Sequence, residues 1–254
     1  MEGKALWLNN QAWPSVDELI RTGRVSKALV PFGSVEQHGP HLPLSTDMII
    51  ADFISRELVK RCAGTILLPS LQFGCSSEHM GFPGTISLRV DTMSRIIADL
   101  SRSLLRAKIE KLFIVNGHGG NRAAIDATLS QLKLTLPRMQ VYAFTILDLA
   151  KIKFGEIRKS EPKLVGHADE IETSMLLAIQ PEVVDMSKSI REMPSLPRNL
   201  SFEPQDMSKV SFGWNAKELT ISGVIGDATV ASAEAGKVLL DYVLETAAKT
   251  INEL

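Results

Sequence analysis

Leu112-Phe113-Ile114-Val115-Asn116-Gly117-His118-Gly119-Gly120-Asn121 reads as a buried strand that breaks into a glycine-rich turn. Its apolar run has no polar face, the pattern of a strand covered on both sides. Helical spacing follows over 122–135. A strand, a tight turn and a helix in that order predict a parallel strand–helix–strand unit. The alternation recurs outward from this point. Further strands are expected at Ala28–Phe32, Thr65–Leu68 and Gln140–Phe144, and further helices at 46–61, 91–107, 169–180 and 231–252. In the second of these helices, Met93, Ile96, Ile97, Leu100, Leu104 and Leu105 repeat at helical spacing, with Asp91 placed to cap it. The expected fold class is therefore α/β, a mostly parallel sheet with helices on both faces, forming one domain over residues 1–254. Residues 187–222 hold Pro194, Pro197, Pro204 and several serines, and read as a long irregular connection serving as a site loop or an interface arm.

Composition narrows the functional classes. With 254 residues, 44% of them hydrophobic, the chain has material for a packed core, which excludes wholesale disorder. Lys and Arg number 28 against 29 Asp and Glu, a net charge of -1, which argues against a nucleic-acid surface. The apolar runs fall far short of the ~20 residues of a membrane helix. Met1–Trp7 lacks the apolar core of a secretion signal. A cytoplasmic protein acting on a small molecule, with neither nucleic acid nor membrane as partner, is expected. Cys62 and Cys75 lack metal-site spacing and read as buried thiols.

In parallel sheets, ligands gather beyond the carboxyl ends of the strands. Four of the five histidines fall there: His38 and His41 after the first expected strand, His79 after the second, and His118 after the third. In extended backbone Glu36 and His38 project to the same side, and Asp47 opens the following helix. Carboxylate oxygen with imidazole nitrogen suits zinc, manganese or iron(II). Simpler roles are open to each: Asp47 offsets a helix dipole, His38 or His41 is a hydrogen-bonded structural group, and Asn121 caps the helix after the glycine turn. The glycines around His118 match neither the Rossmann nor the Walker fingerprint. They would let the imidazole approach a metal unobstructed. His167 lies just before a helix whose Asp169 and Glu172 have capping-box spacing. It is free to act as a general acid, while Glu172 is either a cap residue or a metal ligand. Ser77, Glu78 and His79 are expected to contact substrate. A serine nucleophile lacks its elbow motif, and activation of Cys75 by His79 is permitted by spacing without being specified.

Glu36-x-His38-Gly39-x-His41-Leu42-Pro43-x-x-Thr46-Asp47, Phe82-Pro83-Gly84-Thr85, Asn116 to Asn121 and His167-x-x-x-x-Glu172-Thr173-Ser174 together resemble the creatininase family of metal-dependent hydrolases. The resemblance runs from Gly33 to about Gln180. It implies a three-layer α/β/α fold, a homohexamer, and two divalent metal ions per chain, Zn, Mn or Fe. By the same resemblance Glu36 and His118 would bind one metal and His38 the other, with Asp47 bridging, and His167 would be the catalytic histidine. Creatininase itself carries a Tyr-Glu pair where this chain has Gly119-Gly120. That glutamate binds the second metal, and Glu172 is the best substitute. Gly166 replaces the acid before the catalytic histidine, and a substrate-contacting tryptophan has no counterpart at Lys163. The activity implied is hydrolysis of a cyclic amide or formamide C–N bond by a metal-bridging hydroxide, on a substrate other than creatinine. The Gly-Gly form also occurs in a formylaminopyrimidine-ribonucleotide deformylase, where Arg122 would be placed to meet a phosphate. A non-catalytic metal-binding assembly protein on this fold is the remaining alternative.

Overall fold

The computed structural model describes residues 6–161, 166–194 and 213–254. Residues 195–212 of the proline-rich connection, the first five residues and the Lys163 position lie outside the described residues. Strands β1 (Leu6–Trp7), β2 (Lys27–Phe32), β3 (Thr65–Leu67), β4 (Lys111–Asn116) and β5 (Gln140–Thr145) form one sheet in the order β1-β3-β2-β4-β5, with every neighbouring pair parallel. The strand alternation is read directly into two cores. Leu29, Phe113 and Val115 face one side, against α2 (Thr46–Arg61), α5 (Ile146–Ile157), α6 (Glu170–Ile179) and α8 (Ala233–Glu253). Ala28, Val30, Phe32, Leu112 and Ile114 face the other, against α1 (Trp13–Arg21), α3 (Val90–Arg106) and α4 (Arg122–Thr135). This is the three-layer α/β/α arrangement. Each large aliphatic or aromatic side chain taken out of water in these layers contributes about 1.5–3 kcal/mol. A short helix α7 (Ala216–Leu219) and an antiparallel pair, β6 (Arg191–Glu192) with β7 (Gly226–Asp227), lie outside the main sheet.

The connections place the site. From β2 the chain steps to β3 on one side, then crosses to β4 on the other, so β2 and β4 flank the point where the winding reverses. Their register, Phe32 opposite Asn116, brings both exits to one level. Crevices at such a reversal are the usual ligand position of open parallel sheets.

Several expectations are corrected here. Asp91 does not cap α3: the helix begins at Val90, its N-cap is Arg89 without a side-chain bond, and Asp91 sits in the first turn beside Arg89. Helices α1 and α5 were not expected, nor were β1, β7, or β6 and α7 within the stretch 187–222 read as irregular. At α5, Thr145 passes directly into Ile146 with no turn residue, so the apolar run changes period without punctuation. Asn121 stands at the N-cap position of α4 but gives its side chain elsewhere. Its Oδ1 accepts from the Cys75 N–H at 2.8 Å, and its Nδ2 donates to Gly33 O at 3.1 Å and Asn116 Oδ1 at 3.0 Å. It thus ties the exits of β2, β3 and β4 together. Asn121→Leu should lower stability by about 2–4 kcal/mol, because buried backbone groups lose their partners. A fall in the denaturant midpoint at unchanged slope would register it.

Candidate metal centre and active site

Glu36 and His38 leave the end of β2, Asp47 comes from the first turn of α2, His118 from the end of β4, and Glu172 from the first turn of α6. All are buried. Three sets of side chains bring their ligand atoms within 4.8 Å of one another: Glu36, Asp47 and His118; His38, Asp47 and Glu172; and Glu36, His38 and His167. Asp47 is common to the first two. Its Oδ1 lies 3.2 Å from His38 Nε2, and its Oδ2 lies 3.2 Å from His118 Nδ1. Glu36 Oε2 is 3.2 Å from the same His118 nitrogen, and Glu172 Oε2 is 3.8 Å from His38 Nε2.

The outer nitrogens decide which way the imidazoles point. His38 Nδ1 donates to Glu36 O at 3.1 Å, and His118 Nε2 donates to Cys75 O at 2.8 Å. A carbonyl can only accept, so each outer nitrogen carries a proton, and the ring in its neutral form turns a lone pair inward. The inner nitrogens face carboxylates. Glu36 Oε1 and Oε2, His38 Nε2 and Asp47 Oδ2 are buried without a hydrogen-bond partner. Such an assembly of inward acceptors is repulsive unless a cation or protons lie between them. Burial opposes charge on His38 and His118, yet Asp47 and Glu172 for the first, and Glu36 and Asp47 for the second, raise both well above the ordinary imidazole value. Burial likewise opposes ionisation of Glu36 and Asp47, but the neighbouring histidines hold both carboxyls below their usual range. The oxygen and nitrogen donors, the shared carboxylate and the carbonyl-anchored outer nitrogens fit divalent transition-type metals.

Glu172 has a second partner. Asp169 caps α6 by accepting from Ile171 N at 2.9 Å, while Glu172 Oε2 accepts from Ala168 N at 2.6 Å. The pair is thus a variant of the expected capping box, displaced by one residue. Ala168 holds a left-handed φ of 52°, unusual for alanine, which turns its N–H onto this carboxylate. His41, whose duty the sequence left open, donates or accepts at Thr173 Oγ1 at 2.9 Å, and burial lowers it to about 4.

His167 Nε2 donates to Gln37 O at 2.6 Å, so its Nδ1 lone pair faces Glu36 Oε1 at 3.7 Å. Its ring lies 4.3 Å from His38 and stacks 4.2 Å from His79. Burial lowers the pKa of both His167 and His79. A cavity of about 420 Å³ opens onto these groups, lined also by Glu78, Glu172, Arg122, Asp148 and Lys151 and by Thr145, Leu147 and Trp214. Ser77 lies in an outer depression with Ser87 and Arg89, and its hydroxyl donates at 3.4 Å to Oε2 of Glu78, which lines the cavity. Thr145, Lys151 and Trp214 line the cavity without belonging to any motif, and only the folded chain brings them there. Gln37, the unspecified position of Glu36-x-His38, stands behind the cavity and meets His79 and His167.

A sequence model described as Creatininase, creatinine amidohydrolase, matches residues 9–251. The chain belongs to the creatininase family. Creatinine amidohydrolase of Pseudomonas putida is 25% identical over 98% of this chain and 97% of its own length. Mycofactocin precursor peptide peptidase of Mycolicibacterium smegmatis is 31% identical over 84% of this chain and 79% of its own. Two solved creatininase structures, a manganese form and a variant of Zn-Zn type, superpose with TM-scores of 0.81 and 0.80, each 25% identical and covering 98% of both chains. The protein is a hydrolase of this creatininase family. Among the described residues no helix is long and apolar enough to cross a membrane.

The packing explains two departures from creatininase. A Cβ on Gly120 would stand 2.2 Å from Cys75 O and 2.4 Å from His118 Nε2, so no side chain fits there. A Cβ on Gly166 would lie 2.0 Å from Ile225 O. Gly166 allows the paired bonds between His167 and Ile225, both 2.9 Å, that hold the His167 backbone. Gly166→Ala should cost about 1–3 kcal/mol through overpacking and displace His167. Lower melting temperature together with weakened turnover is the expected result; an unchanged melt would show that the Ile225 strand yields freely.

Proposed function

We propose that this chain hydrolyses an amide-type C–N bond of a small molecule, a cyclic amide or a formamide, at a centre of two divalent metal ions. The observation that carries this reading is the sharing of Asp47 between two sets of buried, inward-facing ligand atoms. Glu36, Asp47 and His118 would hold one ion, and His38, Asp47 and Glu172 the other. Bound there, the metals supply Lewis acidity, which polarises an acyl group and makes water more acidic. His167 presents its Nδ1 lone pair to the cavity while Gln37 O fixes its other nitrogen. It can therefore take a proton from attacking water and return it to the leaving nitrogen, which departs poorly as an anion. Glu78, beside His118, faces the cavity where substrate N–H groups would be met.

The test is elemental analysis combined with a panel of cyclic amides, formamides and lactones assayed with Zn, Mn and Fe. Well under one ion per chain after reconstitution would sink the two-metal reading, and a metal-loaded protein inert to the whole panel would favour an assembly role.

Arg122 and Lys151 in the cavity lining support a second reading, the formylaminopyrimidine-ribonucleotide deformylase, since both could meet a phosphate. Arg122 is ion-paired with Asp148, which leaves Lys151 to carry most of that contact. Lys151→Ala should raise KM about tenfold for a phosphorylated formamide and leave neutral amides unchanged. A cytoplasmic homo-oligomer, with the hexamer as first expectation, completes the proposal. Exposed Phe73, Met80, Ile86 and Val90 on one segment support association, and light scattering of the purified protein gives its order.

A further inference from the structure

His79 and Gln37 form a unit that the hydrolytic scheme above does not use. The orientation of the Gln37 amide is determined at both ends. Its Oε1 accepts from the Gly39 N–H at 2.9 Å, and its Nε2 donates to Gly223 O at 3.1 Å. A backbone N–H only donates and a carbonyl only accepts, so the amide cannot be reversed without losing both bonds. The same Nε2 lies 2.8 Å from His79 Nδ1. That ring nitrogen must accept, which puts the single proton of a neutral imidazole on Nε2. The ring is buried, stacks on His167 at 4.2 Å and meets Trp214 edge-on at 5.9 Å, so it cannot swing away.

Its Nε2 lies 3.7 Å from Glu36 Oε1, beyond hydrogen-bond reach. His167 Nδ1 lies 3.7 Å from that same oxygen. Two stacked imidazoles thus converge on one point with opposite character. His79 brings an N–H, and His167 brings a lone pair.

We propose that His79 is a catalytic residue, a neutral imidazole held by Gln37 as the Nε2–H tautomer, which donates that N–H to the acyl oxygen of the substrate. This rests on the hydrolase reading above. A neutral donor suits the task, because it stabilises developing charge on oxygen without giving up its proton to the leaving group. It also leaves proton transfer to His167. Gln37 is the positioning residue: its side chain selects the His79 tautomer, and its backbone carbonyl fixes that of His167.

Nitrogen-15 imidazole NMR on the zinc-loaded protein at pH 7 reads the tautomer directly. The expected spectrum shows His79 neutral with its proton on Nε2, moving to Nδ1 in Gln37→Glu, whose carboxylate can only accept. On a substrate from the amide panel, His79→Phe should lower kcat about 100- to 1000-fold with KM within about threefold. His79→Gln, which restores a neutral N–H, should recover most of that loss. A His79 proton on Nδ1, a charged ring, or a His79→Phe enzyme within threefold of wild type would overturn the proposal. A wild-type protein inert to the panel would instead sink the hydrolase reading and with it the acyl-oxygen role, while the NMR result would still decide the Gln37–His79 pairing.

Discussion

Asp47→Ala should leave the protein nearly free of metal and without measurable hydrolysis. Asp47 is the one carboxylate belonging to both ligand sets that include His118 or Glu172, with an oxygen 3.2 Å from each of His38 and His118. On the proposed two-metal reading, its loss would remove a ligand from each ion at once. Loss of an outer partner alone typically weakens metal affinity about 10- to 100-fold, and a shared inner ligand should cost more than that at each position. Elemental analysis of protein purified and reconstituted in parallel with wild type checks it. A thermal melt gives an independent reading. Ligand at about 100 times its dissociation constant stabilises the folded state by about 2.7 kcal/mol, so chelation should lower the wild-type melting temperature and leave Asp47→Ala unmoved. Full metal content in the variant would show that Asp47 only serves the dipole of α2.

His167→Ala is expected to separate binding from chemistry. The metal content should stay at the wild-type level while kcat falls about 100- to 10,000-fold, the range of a lost general acid–base. The prediction depends on the ring standing at the margin of the centre, with Nδ1 3.7 Å from Glu36 Oε1 and Nε2 engaged by Gln37 O. His167 also belongs to a set with Glu36 and His38 that could itself hold an ion. Loss of about half the metal in His167→Ala would identify it as a ligand and move the proton-transfer task elsewhere. Single-turnover measurements of chemistry, made beside the elemental analysis, distinguish the two outcomes.

Local patterns carried much of the fold. Helices 46–61 and 122–135 were legible to the residue, because each follows a loop with polar or glycine punctuation and then a sustained period. Strands β2 to β5 were legible within one residue at either end, since continuous apolar runs between such loops have little alternative, whereas the two-residue strands β1, β6 and β7 were not. Helix α5 was not, for want of any break after Thr145. At the site, Glu36, His38, Asp47, His118 and Glu172 come together. Strand-exit placement accounts for Glu36, His38 and His118, whereas Asp47 and Glu172 arrive from the first turns of α2 and α6. Ser77, expected beside the substrate, reaches the cavity through its 3.4 Å hydrogen bond to Glu78.

By itself the sequence determined which groups could meet: periodicity builds the parallel sheet, and parallel strands bring their exit loops to one edge. Tertiary structure alone decided which atoms face one another. Asn121 spends its amide on three strand exits, Glu172 serves α6 and the His38 set together, and Gln37 sets the tautomers of two histidines. The physical reason is that periodicity is a property of neighbours along the chain. The direction of a lone pair or a proton depends on which carbonyl, amide or carboxylate arrives from another element, and no local pattern records that.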